Sequence, residues 1–364
     1  MSLRSVSLLA CLSASLLVSH PAAAQEGVKV RIPTIDGVTL QGAFYAAKNP
    51  QGKVPPTVLL VHALGEKSSK PEWVHLATSL QEKFAVMTFD FRGHGESTEI
   101  DPAKFGRYQP NVSLVKGFKP GKESIDYKDF DKAYMPILCN DLAAVKGFLD
   151  RKNDQGQCNT STFIVVGADT GATLAAVWLN SENYRYRMVP SPNPLFPPQP
   201  PPADAASEGR SVVGCVWLSI SPTLGKHQLS VSKLLDLPGK VHATPMVFMF
   251  GEEDAKGKTI GNGVVNALKK DSKDKEKFSY TGAVSVQKTK LVGAGLLAKS
   301  LGTDAAIRDW INDVVKKKNN EWLEKDQRKS VYAWRMSPAT LPTIIKPAEE
   351  QNLIFDTYEK FIPR

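Results

Sequence analysis

The sequence predicts an α/β fold: a mostly parallel, twisted sheet with helices on both faces. Two observations carry this. Short β-branched apolar runs alternate with segments of helical periodicity from residue 57 to residue 317. Those runs are apolar at nearly every position rather than every second one, which marks strands covered on both sides. With 364 residues, the chain has length for one large domain. No internal repeat and no second domain are apparent.

Residues 1–24 read as a secretory signal. Arg4 gives a positive start, Ser5 to Val18 an apolar stretch too short to span a bilayer comfortably, and Ala22, Ala23 and Ala24 a small-residue cleavage site. A secreted or periplasmic protein with no transmembrane segment in its mature chain is expected. Lipoprotein anchoring at Cys11 is disfavoured, because so little apolar sequence precedes it. Cys139, Cys158 and Cys215 then remain. Their odd number forbids full internal pairing and their spacing matches no zinc pattern, so they are read as small apolar fillers with no metal. Nothing in the chain implies a cofactor.

Val28 to Ala46 alternates around Asp36-Gly37, a predicted β-hairpin. Thr57–Val61 is a buried strand, Pro71–Lys83 a helix opened by proline, and Phe84–Phe89 the next strand. Leu138, Leu142, Val145 and Leu149 fall at helical spacing. Phe163–Val166 is a strand running into an apolar helix at Gly171–Leu179. Strands follow at Val212–Ile220, Met246–Phe250 and Val284–Val292, with helices at Gly263–Lys270 and Asp304–Lys317. The domain is expected over 25–330, with insertions at 98–135 and 190–210, and 331–364 is expected to pack on it. Residues 190–202 hold eight prolines, which favours polyproline II on the surface.

The formal charge is +9, concentrated late, in Lys316-Lys317-Lys318 and Lys325 to Lys329, with acidic residues interleaved. Such runs ordinarily form a solvated face. Contact with an anionic cell-envelope polymer is the functional alternative. No nucleic-acid fold signature accompanies them, so no nucleic-acid partner is expected.

Four stretches carry chemistry. "TVLLVHALG" (57–65), "FDFRGHGES" (89–97), "VVGADTGA" (165–172) and "FGEED" (250–254) each end or follow a predicted strand. In this order they resemble the α/β-hydrolase superfamily: an oxyanion loop, an Asp-x-Arg-Gly-x-Gly-x-Ser turn, a nucleophile elbow and an acid-bearing turn. The resemblance covers most of residues 28–318 and implies the α/β-hydrolase fold, here with a reduced cap because little chain separates Ser221 from Pro245.

The resemblance also exposes two departures. Asp169 stands where the family's elbow has serine. A carboxylate there can attack an sp³ carbon bearing halide or epoxide oxygen, as haloalkane dehalogenases and epoxide hydrolases of this superfamily do, and is a poor substitute in ordinary ester cleavage. The family's histidine follows its last strand, in a Gly-x-Gly-His pattern; here Val292-Gly293-Ala294-Gly295 leads to Leu296, which cannot carry a proton. Asp254 is the candidate acid, with Glu253 as its substitute.

The mature chain keeps His62, His75, His94, His227 and His242. His227, in the loop expected to overhang the site, is the candidate replacement base, against a reading of plain surface exposure. His62 is expected to orient its loop, His94 to pack in its turn, and His75 and His242 to be irrelevant. His62, Ala63, Leu64, Thr170 and Leu296 are the expected pocket, with backbone N–H groups of Ala63 and Thr170 as oxyanion donors. Two functions follow. One is an exported hydrolase-fold protein with a degenerate triad that acts by binding, its pocket open to a small apolar ligand. The other is an active ester, haloalkane or epoxide hydrolase using Asp169 with a non-standard base.

Overall fold

The computed structural model describes residues 27–50, 52–193, 195–199, 201–202, 205–235, 244–270, 279–318, 320–325, 331–334 and 345–347. The predicted signal with Cys11, His242, most of the C-terminal extension and residues 326–330 of the lysine-rich run lie outside them.

The main sheet has eight strands: β1 Val28–Pro33, β2 Thr39–Tyr45, β3 Pro56–Val61, β4 Ala85–Phe89, β5 Asn159–Ala168, β6 Val212–Leu218, β7 Met246–Gly251 and β8 Gly282–Val286. Their order is β1-β2-β4-β3-β5-β6-β7-β8. The hairpin β1–β2 and its pairing with β4 are antiparallel, and every pairing from β4 to β8 is parallel. Every residue of β3, β4, β5, β6 and β7 is buried. That explains their continuous apolar character.

The period-two alternation sends their side chains into two cores. Leu59, Val61, Met87, Phe89, Val165 and Trp217 face helices α2 (Cys139–Asp154) and α3 (Asp169–Glu182). Val58, Leu60, Val86, Val166, Val216 and Met249 face α1 (Pro71–Leu80) and α5 (Thr303–Lys317). Between these last strands runs α4, Ala255–Lys270, which begins eight residues before the predicted start. Its early turns hold Gly257 and Gly261, low-propensity residues whose missing Cβ atoms let the helix lie against Phe250 and Phe248. The last strand stops at Val286, short of the predicted Val292; Thr289 and Leu291 instead pass beside Gly251, and the Thr289 carbonyl accepts the N–H of Glu253 at 3.0 Å.

The insertion at 98–135 is tied down by a buried ionic network. Arg92 donates to Asp36 at 2.6 Å, to Asp141 at 2.8 Å and to Tyr134 Oη at 3.0 Å. Asn111, within the insertion, donates to Asp36 at 3.1 Å and accepts from Tyr134 Oη at 2.7 Å. Burial pushes the Asp36 carboxyl up, but the charge and hydrogen bonds of Arg92 outweigh it and hold the group below its ordinary range. One guanidinium therefore joins the hairpin, the β4 turn, the insertion and α2.

Cys139, Cys158 and Cys215 are buried and free. Burial pushes the Cys158 thiol up to about 12. Lys316 and Lys317 are exposed at the end of α5, but Lys325 is buried, and burial lowers its pKa. That residue departs from the expected solvated face. From the extension, Val331–Trp334 pairs antiparallel with Arg185–Arg187. Among the described residues no helix is long and apolar enough to cross a membrane.

Candidate functional site

Strand β5 ends at Ala168 and α3 begins at Asp169, with no linker between them. The chain turns at Asp169 itself, which is held at φ 47°. Few residues tolerate that left-handed backbone, and Asp is among them. The glycines two residues away make the turn possible. A Cβ on Gly171 would lie 2.0 Å from the His62 carbonyl oxygen, and one on Gly167 would lie 2.8 Å from Ala172 Cα. Helix α3 therefore starts in direct contact with the loop after β3, at the carboxyl ends of the parallel strands, where sites in such sheets form.

The carboxylate of Asp169 is half-buried and makes no hydrogen bond or ion pair with any described residue. Burial pushes its pKa up; the charge of Lys256 opposes this, and those of Glu66 and Asp254 add to it. Asp254 stands where the acid-bearing turn was predicted. Its carboxylate accepts the N–H of Gly257 at 2.9 Å, which serves the first turn of α4. Glu253 is exposed.

Each described histidine has its own setting. His62 is buried, with Nε2 accepting the N–H of Phe91 at 3.1 Å and Nδ1 donating to the Ala63 carbonyl at 2.7 Å. Burial and the neighbouring His94 lower its pKa to about 4, so the ring stays neutral and both nitrogens hold the loop. His94 donates from Nδ1 to the Arg92 carbonyl at 2.8 Å and stacks on Tyr127 at 4.4 Å. His75 meets Asp304 across α1 and α5 at 3.3 Å. His227 lies on a short ribbon, Thr223–Leu224 with His227–Gln228, and makes no hydrogen bond to Asp169.

Leu296 occupies a turn of 3-10 helix, Gly293–Leu297, and its side chain is fully buried in the core beneath α1 and α5. The residue of this turn that meets the elbow is Gly293, where a Cβ would stand 3.6 Å from Asp169 Cβ. In the oxyanion loop, the Leu64 N–H donates to Thr170 Oγ1 at 2.9 Å. That donor is occupied from within. The insertion reaches this loop through Tyr127, whose hydroxyl would lie 2.8 Å from a Cβ on Gly65.

Three neighbours of Asp169 were not legible in the sequence: Glu66, Lys256 and Ser219. Ser219 is the most informative. Ala168 and Leu218 are register partners on β5 and β6, so Asp169 and Ser219 stand side by side at the ends of adjacent strands. Ser219 also has a positive φ, 49°, and its Oγ is buried without a hydrogen-bond partner. Just beyond it, Ser221 N–H donates to the Asp169 carbonyl at 3.3 Å. No sequence pattern announces a strained serine after a strand. Two clefts of 550 and 530 Å³, lined in part by Ser161 and Asn159, open at the opposite end of the sheet and are no part of this site.

A doubly covered parallel sheet with a strand–turn–helix elbow defines the class. The profile of the alpha/beta hydrolase fold matches residues 56–189, and the sheet and elbow are those of an α/β-hydrolase fold. No curated protein matches it in sequence. Among solved structures it is similar to a dienelactone hydrolase from Anabaena variabilis, at 14% identity over 80% of this chain and 98% of that one, with a TM-score of 0.46. It is similar also to the esterase Pf2001 of Pyrococcus furiosus, at 15% identity over 79% and 91%, with a TM-score of 0.48. A third is XC6422 from Xanthomonas campestris, described as an α/β serine hydrolase without lid, at 14% over 82% and 97%, with a TM-score of 0.44. Likeness at this level leaves activity open.

Proposed function

We propose that this chain is an exported α/β-hydrolase-fold protein that binds a ligand at its elbow without ordinary hydrolytic turnover. The observation that carries the reading is an elbow carboxylate with no imidazole hydrogen-bonded to it among the described residues. A carboxylate can form an ester with an alkyl halide or epoxide carbon, expelling halide or opening the ring. Releasing that ester needs a base to activate water. Leu296 supplies none, and His62 is neutral with both nitrogens engaged. The exposed Lys316 and Lys317 suit contact with an anionic cell-envelope polymer; such binding should weaken as salt rises.

The test is incubation with haloalkanes, epoxides and short esters. No release above background is expected, and a fluorophosphonate probe should leave the protein unlabelled. A mass increment on Asp169 without product release would support the reading. Catalytic release that disappears in Asp169→Asn overturns it in favour of an active hydrolase with a non-standard base, for which His227→Ala is the next variant.

A further inference from the structure

We propose that the elbow takes a primary ammonium group on an apolar tail, held between the Asp169 carboxylate and the Ser219 hydroxyl. This rests on the binding reading above and names its ligand.

The argument is one of acceptors without donors. The Asp169 carboxylate has no hydrogen bond or ion pair among the described residues. Beside it, Ser219 Oγ is buried and unpartnered. Glu66, whose charge reaches Asp169, holds Lys70 at 2.5 Å through Oε1, while its Oε2 is buried with no partner. Buried acceptors left unpaired are costly unless a ligand brings the donors. A group with N–H donors and a positive charge answers the Asp169 carboxylate and the Ser219 oxygen beside it, with the Glu66 charge adding to its attraction.

An anion fits poorly. Asp169, Asp254 and Glu66 would repel it. Lys256, whose charge reaches Asp169, is exposed and forms no ion pair with it. The apolar part follows from the loop beside the elbow. Leu291 and Val292 are 43% and 53% exposed and lead directly into Gly293, which abuts Asp169. A tail lying on these side chains removes apolar surface from water.

The backbone adds an independent pointer. Asp169 and Ser219, neighbours across two strands, are both held at positive φ, 47° and 49°. Paired outliers of this kind gather where a site requires particular side chains. At Ser219 glycine would fit the backbone better, so the hydroxyl is kept against local preference.

The experiment titrates the full protein with n-hexylammonium, hexanol and hexanoate, read by calorimetry or NMR shifts at low salt. The ammonium should bind at least tenfold more tightly than hexanol, and hexanoate most weakly. Asp169→Asn should weaken ammonium binding tenfold or more, and Ser219→Ala at least threefold. Ser219→Gly should raise the thermal midpoint yet weaken ammonium binding, a combination that a purely structural serine would not give. The proposal is overturned by hexanoate binding as tightly as the ammonium, by ammonium binding unchanged in Asp169→Asn, or by no ammonium binding to the folded wild-type protein. Ester or haloalkane turnover would remove the non-hydrolytic reading and leave this result standing, because binding is measured without reaction.

Discussion

Replacing Arg92 by methionine should cost the protein a large share of its stability, and more at neutral than at mildly acid pH. Arg92, Asp36 and Asp141 are all fully buried. The guanidinium lies 2.6 Å from Asp36 and 2.7 Å from Asp141. Methionine fills similar apolar length, so the main effect is two carboxylates left without a cation. Removing one partner of such a buried arrangement costs about 3–5 kcal/mol. Domains have about 5–15 kcal/mol in total. Deprived of Arg92, each buried carboxyl has a folded pKa above its unfolded value, so the variant loses stability as pH rises through that folded value and regains it on acidification. In the wild type, Asp36 lies below its ordinary range and contributes stability that is lost only at more acid pH. Urea unfolding, followed by the fluorescence of buried Trp73, Trp178 and Trp217, should show a deficit of about 3–5 kcal/mol at pH 7.5 and a smaller one at pH 5.5. Adding Asp141→Asn should recover part of it. A deficit under about 1 kcal/mol at both pH values, or one that grows on acidification, would refute the reasoning, since it would mean the charges are not buried together.

Other outcomes follow from the same geometry. Asp169→Asn should be more thermostable than wild type at pH 7.5, because the raised carboxyl is penalised when ionised, and the gap should close near pH 3; a gap that widens in acid contradicts the burial of that group. Gly171→Ala drives a Cβ to 2.0 Å from the His62 carbonyl, so α3 must move off the loop; a loss of about 1–3 kcal/mol is expected in chemical unfolding, and a neutral result would mean that the elbow is looser than described. Cys139, Cys158 and Cys215, all buried with raised thiol pKa values, should resist a disulfide reagent in the native protein and react on unfolding.

The departures from expectation share a cause. The strands were legible because burial on both faces imposes unbroken apolar runs, and the elbow because Gly167 and Gly171 are demanded by backbone contacts. Helix α4 was read too short because its glycines lower local propensity while packing on Phe248 and Phe250 restores the helix. Arg92, Asp36 and Asp141 are far apart in the chain, and only the fold shows that one buried cation serves both carboxylates.

By itself the sequence determined the alternation of buried strands and helices, the carboxylate at the elbow, and the absence of a histidine beyond residue 242. These are local facts: periodicity, residue identity and position along the chain. Tertiary structure alone decided what each side chain faces. It placed Leu296 in the core and Gly293 against Asp169, spent both nitrogens of His62 on the backbone, and set Ser219 beside Asp169 across two strands. Such juxtapositions depend on strand register and the path of loops between distant segments, which a linear pattern does not encode.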